Sequence, residues 1–166
     1  HPFSLSLKAA KLVPIVEPEV LIEGDHSAAA FEEVTGRVLT ATYAALAEAH
    51  VHLEGTLLKP QMIVPGVDWA GPRPGPGETA EATLRVLRRH VPPAVPGIVF
   101  LSGGQSEVEA TRNLAEINRV ASEGSGPSGR NRHPWTLSFS FGRSLQASVL
   151  QIWSASVLAR QRAAAG

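Results

Sequence analysis

At 166 residues with 43 % hydrophobic side chains, the chain has enough apolar mass for one sizeable core, and residues 1–166 are expected to form a single domain. Fifteen basic residues balance fifteen acidic ones, so nothing in the charge favours a nucleic acid or an anionic membrane as partner. The lack of cysteine excludes disulfides and thiolate catalysis, and no apolar stretch is long enough for a membrane span, which leaves small molecules as the expected ligands.

The first apolar run, Leu12 to Val20, is too short for an average helix and reads as a buried strand. Period-two alternation puts Ile15, Glu17 and Glu19 on one face and Pro18 on the other. Active-site residues collect at the carboxyl ends of parallel strands, so the two carboxylates fit acid/base chemistry; they fit a capping or salt-bridged pair equally well. Asp25-His26 reads as the cap of the first helix, whose apolar positions are Phe31, Val34, Val38, Ala41, Ala45 and Ala49.

The second strand, Val51 to Leu58, runs into Lys59-Pro60, with Gly55, Leu57 and Lys59 on one face. A cation where an apolar strand leaves a core needs a salt-bridge partner or a chemical purpose. Partial desolvation would disfavour the ammonium and free the lone pair that forms a Schiff base with a carbonyl; the alternative is a lysine exposed just past the strand. His50 and His52 would share a strand face, but no third ligand is evident nearby, so no metal site is expected.

Pro65 to Gly77, dense in proline and glycine, reads as an exposed loop. A second helix follows on the spacing of Ala80, Leu84, Leu87 and Val91, and then Pro92-Pro93 and Pro96 lead into a third strand, Ile98 to Ser102. That strand passes through Gly103-Gly104 into a third helix with a Ser106/Glu109 capping box and an apolar face of Leu114, Ile117 and Ala121. Amides freed by glycines at a helix start make an anion site, although two glycines also make a plain turn.

Ser122 to His133 reads as a second exposed loop, before a fourth strand from Trp135 to Phe141. There Ser138, Ser140 and Gly142 share one face, while Leu137, Phe139 and Phe141 form an apolar outer layer. Arg143 stands at a further helix start, suited to a phosphate or to packing on that helix. Trp135 and Trp153 read as core or interface aromatics. Strand alternating with helix implies parallel strands with right-handed crossovers, in an open sheet or in part of a barrel.

Five segments, taken in order, carry a resemblance: Val13-Pro-Ile-Val-Glu17-Pro-Glu19, Leu53-Glu-Gly-Thr-Leu-Leu-Lys59-Pro60, Val91-Pro-Pro-Ala-Val-Pro-Gly97, Leu101-Ser-Gly-Gly-Gln-Ser-Glu107 and Phe139-Ser-Phe-Gly-Arg143-Ser-Leu-Gln146. From about Val13 to Trp153 the chain resembles class I fructose-bisphosphate aldolase, over strands five to eight of that family's (β/α)₈ barrel. The fold class implied is α/β, a partial TIM barrel. By this resemblance Lys59 matches the Schiff-base lysine, Glu17 the acid/base of carbinolamine dehydration, and Glu19 its support. Ser102, Gly103, Gly104, Ser140, Gly142 and Arg143 match the loops that hold the C1 phosphate of fructose 1,6-bisphosphate.

The resemblance further implies a metal-independent lyase with no cofactor, a sugar phosphate as substrate, a family that is usually homotetrameric, and a cytoplasmic setting or, alternatively, the plastid stroma. A whole barrel takes roughly 250 residues, so a fragment with two unpaired apolar sheet edges is expected, marginally stable or self-associating. The second expectation is therefore an impaired piece that acts only by binding or as a scaffold.

Overall fold

The computed structural model describes residues 11–123 and 133–164. The elements run β1 (Ile15–Val16), α1 (Ala28–Glu48), a short 3₁₀ turn (Leu53–Gly55), β2 (Leu57–Leu58), α2 (Pro76–His90), β3 (Gly97–Phe100), α3 (Glu107–Glu123), β4 (Thr136–Phe139) and α4 (Arg143–Ala164). The strands form one parallel sheet in the order β1-β2-β3-β4, so α1, α2 and α3 are each a crossover between neighbouring strands, and α4 follows the last strand. Most of the expected Ser122 to His133 loop lies outside the described residues, while Ser122 closes α3 and His133 is buried beside β4.

Every strand is shorter than its apolar run. Beyond Val16, Pro18 has no N–H to give a ladder, and the Val20 N–H is taken by a side chain. The exposure pattern nonetheless keeps alternating through Val20, with Glu17 and Glu19 outward and Pro18 and Val20 turned in, so the predicted face assignment survives without the strand. In the second run, Leu53–Gly55 winds into a 3₁₀ turn closed by Thr56 N–H on the Leu53 carbonyl (3.0 Å), which takes Gly55 out of the strand.

α1 starts at Ser27, whose Oγ accepts from Ala30 N–H (3.2 Å); Asp25-His26 is not the cap. Its buried stripe is Phe31, Thr35, Leu39 and Tyr43 at strict i, i+4 spacing, whereas Ala41 and Ala45 of the predicted face are exposed. The larger side chains win the core because they remove more apolar area from water than alanine does. At the other end, Val51 N–H reaches the Leu46 carbonyl (3.0 Å) and His50 N–H the Ala47 carbonyl (2.9 Å), with His50 left-handed at φ 50°. This is a Schellman stop with His50 in the position usually held by glycine. His50 is therefore no strand residue and shares no strand face with His52, which pairs with Glu54 at 2.8 Å.

α2 carries Pro76 in its first turn, Glu78 accepting from Gly75 N–H (2.9 Å), and Arg88, Arg89 and His90 in its last turn, each placed to suit the helix dipole. Ala80, Leu84, Leu87 and Val91 are all buried, as their spacing predicts. Arg85 grips Glu32 of α1 through two hydrogen bonds (2.7 and 2.9 Å) and holds that carboxyl below its usual pKa. The core joins these helices to the sheet through Phe31, Leu39, Leu58, Leu84, Ile98, Phe100, Ile117 and Trp135. At the edges, Ile15 on β1 and Phe139 on β4 stay 47 % and 49 % exposed, while Leu137 and Phe141 of the predicted outer layer of β4 are partly buried against the core. Trp153 on α4 is likewise exposed.

His133 is buried, stacks on Trp135 at 6.0 Å, and has its pKa pushed below the ordinary 6.5 by burial, with Arg88 adding to the effect. Because the folded state resists this proton and the unfolded chain accepts it, the contribution is fully present above the unfolded value and is lost as pH falls below about 6.5 toward the folded value. Urea unfolding across pH 5 to 8 should therefore show stability dropping on the acid side of neutrality. His133→Phe should flatten that part of the curve, and an unchanged profile in the variant would assign the titration to another group.

Candidate active site

Parallel pairing brings the carboxyl ends of all four strands to one side of the sheet, and backbone hydrogen bonds just past the strand ends set which residues meet there. Lys59 N–H donates to the Val16 carbonyl (2.7 Å), Leu101 N–H to the Pro60 carbonyl (3.1 Å) and Ser140 N–H to the Phe100 carbonyl (2.8 Å). Lys59 thus stands beside Glu17, Ser102 follows from Leu101, and Ser140 closes the row.

The result is a cleft of about 210 Å³ lined by Glu17, Glu19, Lys59, Ser102, Gly103, Ser140, Gly142 and Arg143, together with Ile22 and Leu101. Eight of the nine residues singled out in the sequence meet in it. The ninth, Gly104, opens onto a neighbouring cleft of about 420 Å³ that shares Ser102 and Arg143. A larger groove, about 670 Å³, lies between α1 and α2 on the outer face, away from the strand ends.

Lys59 Nζ lies 2.9 Å from Glu17 Oε1, with the lysine side chain 21 % exposed and the glutamate 44 %. The amine therefore meets a counter-charge, the salt-bridge partner that a cation at the end of an apolar strand calls for. A carboxylate at this distance can take a proton from the ammonium and return it to a departing hydroxyl. Glu19 is exposed at the rim of the same cleft.

Opposite stands the loop from β3 to α3. Gly103 and Gly104 both take positive φ, +54° and +77°, a conformation that side chains resist, and Ser106 Oγ accepts from Glu109 N–H (3.2 Å) to start α3. The predicted capping box is thus present in its first half. Beneath the loop, Gln105 Nε2 donates to the Ser102 carbonyl (2.8 Å) and Asn113 Nδ2 donates to Gln105 Oε1 (2.6 Å). Both side chains are buried, so the loop rests on a closed polar network and not on apolar packing alone.

Three features of the site escape a reading by periodicity. Gln61, 3 % exposed, accepts from Val20 N–H on Oε1 and donates from Nε2 to the Val20 carbonyl, both at 2.7 Å. The stretch Pro65–Gly66 is buried, where the whole of Pro65 to Gly77 was expected to be exposed, because it zips to the acidic segment. Gly66 N–H donates to the His26 carbonyl (3.0 Å), Val67 N–H to Ile22 (2.9 Å), Asp68 N–H to Gly24 (3.0 Å), and Gly24 N–H to Asp68 Oδ2 (3.1 Å). Finally, Gly104 lies under Ile22, whose Cδ1 would sit 2.8 Å from any added Cβ. A glutamine two residues after Lys59, a Pro-Gly pair and the Gly103-Gly104 pair are the traces these features leave in the sequence.

A Cβ at Gly66 would fall 2.2 Å from the Gly24 carbonyl oxygen, a backbone atom with no freedom to swing aside. Gly66→Ala should cost about 1–3 kcal/mol through overpacking and speed amide exchange across residues 22–26. Chemical denaturation together with exchange mass spectrometry reads both. A variant as stable and as protected as the parent would show that the two segments can separate freely.

The family model described as fructose-bisphosphate aldolase class-I matches residues 3–165. The chain is 57 % identical over 142 residues to a fructose-bisphosphate aldolase of Schistosoma mansoni, covering 86 % of this chain and 36 % of that protein. It is 54 % identical over 142 residues to cytoplasmic isozyme 2 of Pisum sativum, again covering 86 % of this chain and 36 % of the relative. The chain thus spans a little over a third of the length of the relatives it matches. Among solved structures, fructose-bisphosphate aldolase from Plasmodium falciparum, crystallised with TRAP and a small-molecule inhibitor, superposes with a TM-score of 0.75 at 51 % identity, covering 86 % of this chain and 38 % of that one. The parallel sheet with its alternating helices is therefore part of a (β/α)₈ barrel.

Proposed function

The chain belongs to the class-I fructose-bisphosphate aldolase family, and on that premise we propose that its cleft forms a Schiff base with a ketose phosphate, the covalent step in cleavage of fructose 1,6-bisphosphate. The observation that carries this reading is the 2.9 Å approach of Lys59 Nζ to Glu17 in the same cleft as the Ser102-Gly103 loop and Arg143.

Glu17 takes a proton from the Lys59 ammonium, and the neutral amine attacks the C2 carbonyl to give a carbinolamine. Glu17 then returns a proton to the C2 hydroxyl, which leaves as water, and the C=N bond forms. The C3–C4 bond breaks with its electron pair drawn into the iminium, and the proton on the C4 hydroxyl passes to Glu17, a carboxylate again after the dehydration, as glyceraldehyde 3-phosphate departs. Protonation of the remaining enamine at C3 and addition of water at C2 release dihydroxyacetone phosphate and regenerate Lys59.

Glu19 holds the rim beside Glu17. The Ser102-Gly103-Gly104 loop, with amides opened by two left-handed glycines, and Ser140, Gly142 and Arg143 receive the C1 phosphate, the guanidinium supplying forked donors. The names of relatives from Pisum sativum and Cicer arietinum support a cytoplasmic setting; the plastid stroma is the alternative.

Borohydride reduction in the presence of dihydroxyacetone phosphate, followed by mass spectrometry, should add one reduced adduct on Lys59. Lys59→Arg should abolish it, and Glu17→Gln should slow its formation by about 10²–10⁴-fold, the usual contribution of a positioned acid/base. Absence of any adduct at saturating ligand would replace catalysis with the reading of a binding piece.

A further inference from the structure

We propose that Gln61 is a positioning residue for the Lys59 chemistry: its buried amide fixes where Glu17 and Glu19 stand relative to the amine and to the phosphate loop. The proposal rests on the reading of Lys59 as the imine-forming residue. Its geometric part stands independently.

The segment from Glu17 to Ile22 carries both carboxylates yet belongs to no ladder, since β1 ends at Val16. Its backbone polar groups need partners, and Gln61 supplies two at one residue, accepting from Val20 N–H and donating to the Val20 carbonyl at 2.7 Å each. That is the pairing a neighbouring strand would offer, delivered by a side chain. A primary amide can do this because it carries a donor and an acceptor on one planar group; a carboxylate lacks the donor, and an aliphatic chain lacks both.

The same side chain reaches the opposite wall. A Cβ on Gly103 would sit 3.6 Å from Gln61 Cγ and 3.9 Å from its Nε2, so the amide lies directly beneath the left-handed turn of the loop. Two residues upstream, Lys59 is held by its own N–H on the Val16 carbonyl. Gln61 therefore bonds the acidic segment and lies on the side of Gly103 where a side chain would project, while anchored just past the strand end that bears the amine. Gln61 is 3 % exposed, so its amide is committed to this pairing, and removing it takes from the Val20 N–H and C=O the partners they have here and frees the arm to move. An arm displaced by about 1 Å is enough to lose up to a hundredfold in a step that needs a near-attack geometry.

The test compares the parent chain with Gln61→Leu, which keeps the volume and removes both polar functions, and with Gln61→Glu, which keeps only acceptors. Adduct formation on Lys59 with dihydroxyacetone phosphate and borohydride is followed against pH and ligand concentration. In parallel, amide exchange is measured across residues 17–22. Gln61→Leu should remain folded by circular dichroism, should exchange faster at residues 17–22, and should trap about ten- to a hundredfold more slowly with a displaced pH profile, while the half-saturating ligand concentration changes much less. Gln61→Glu should fall in the same direction.

A folded Gln61→Leu chain that traps at the parental rate with the parental pH profile would overturn the positioning role, as would parental protection of residues 17–22. If the parent forms no adduct at all, the Schiff-base reading fails on its own account. The exchange measurement then decides whether Gln61 holds the arm.

Discussion

The whole site depends on the register of a parallel ladder only a few hydrogen bonds long. Leu57 N–H on Pro14, Lys59 N–H on Val16, Leu101 N–H on Pro60 and Ser140 N–H on Phe100 fix four strand ends against one another. Side chains alternate along a strand, so a slip of one residue between β1 and β2 would turn Lys59 into the core and bring Leu58 to the cleft. Leu58, wholly buried among the helices, resists that exchange. The packing of one apolar residue and the placement of its charged neighbour are therefore a single constraint, and the amine reaches Glu17 because Leu58 has nowhere else to go.

Around that row the protein uses two kinds of support. On the side of the Ser102-Gly103-Gly104 loop, Gln105 and Asn113 form a buried network that reaches the Ser102 carbonyl, so the loop is held by hydrogen bonds from below while the absence of a side chain at Gly104 makes room for Ile22. On the acidic side, Gln61 and the Gly66 to Asp68 stretch provide the partners that a longer strand would otherwise have supplied. Both arrangements satisfy backbone groups in irregular segments around the cleft, where helix and sheet cannot reach. The surface ion pair of Arg85 with Glu32 is more exposed and contributes little beyond joining two helices.

Much of this was legible in the sequence because period-two and period-3.6 patterns report burial. The faces of α2 and the outward positions of Glu17 and Glu19 follow from spacing alone, and the motif order placed Lys59, Ser102 and Arg143 in one cleft. Strand lengths were overestimated because an apolar run reports only that a segment is buried, while a strand also needs a partner for each N–H. The face of α1 is read correctly at Phe31 and misjudged beyond it for a related reason: alanines at helical spacing match the period, yet Leu39 and Tyr43 bury far more area. Gln61 was invisible because its role comes from a residue 41 positions away, a separation at which periodicity carries no information.

The arm bearing Glu17 and Glu19 is tied down by Gln61 and Asp68, at separations of 41 and 44 residues. Such contacts form only after a long loop has closed, and they come later than the local turns of α1, which lies within that loop. During synthesis the arm emerges before α1 and finds its place after it. Lys59 and Gln61 belong to the same short stretch, so the closure that immobilises the carboxylates also brings the amine to them. The Lys59–Glu17 pair is assembled in one event, and a chain interrupted before residue 61 holds neither half in position.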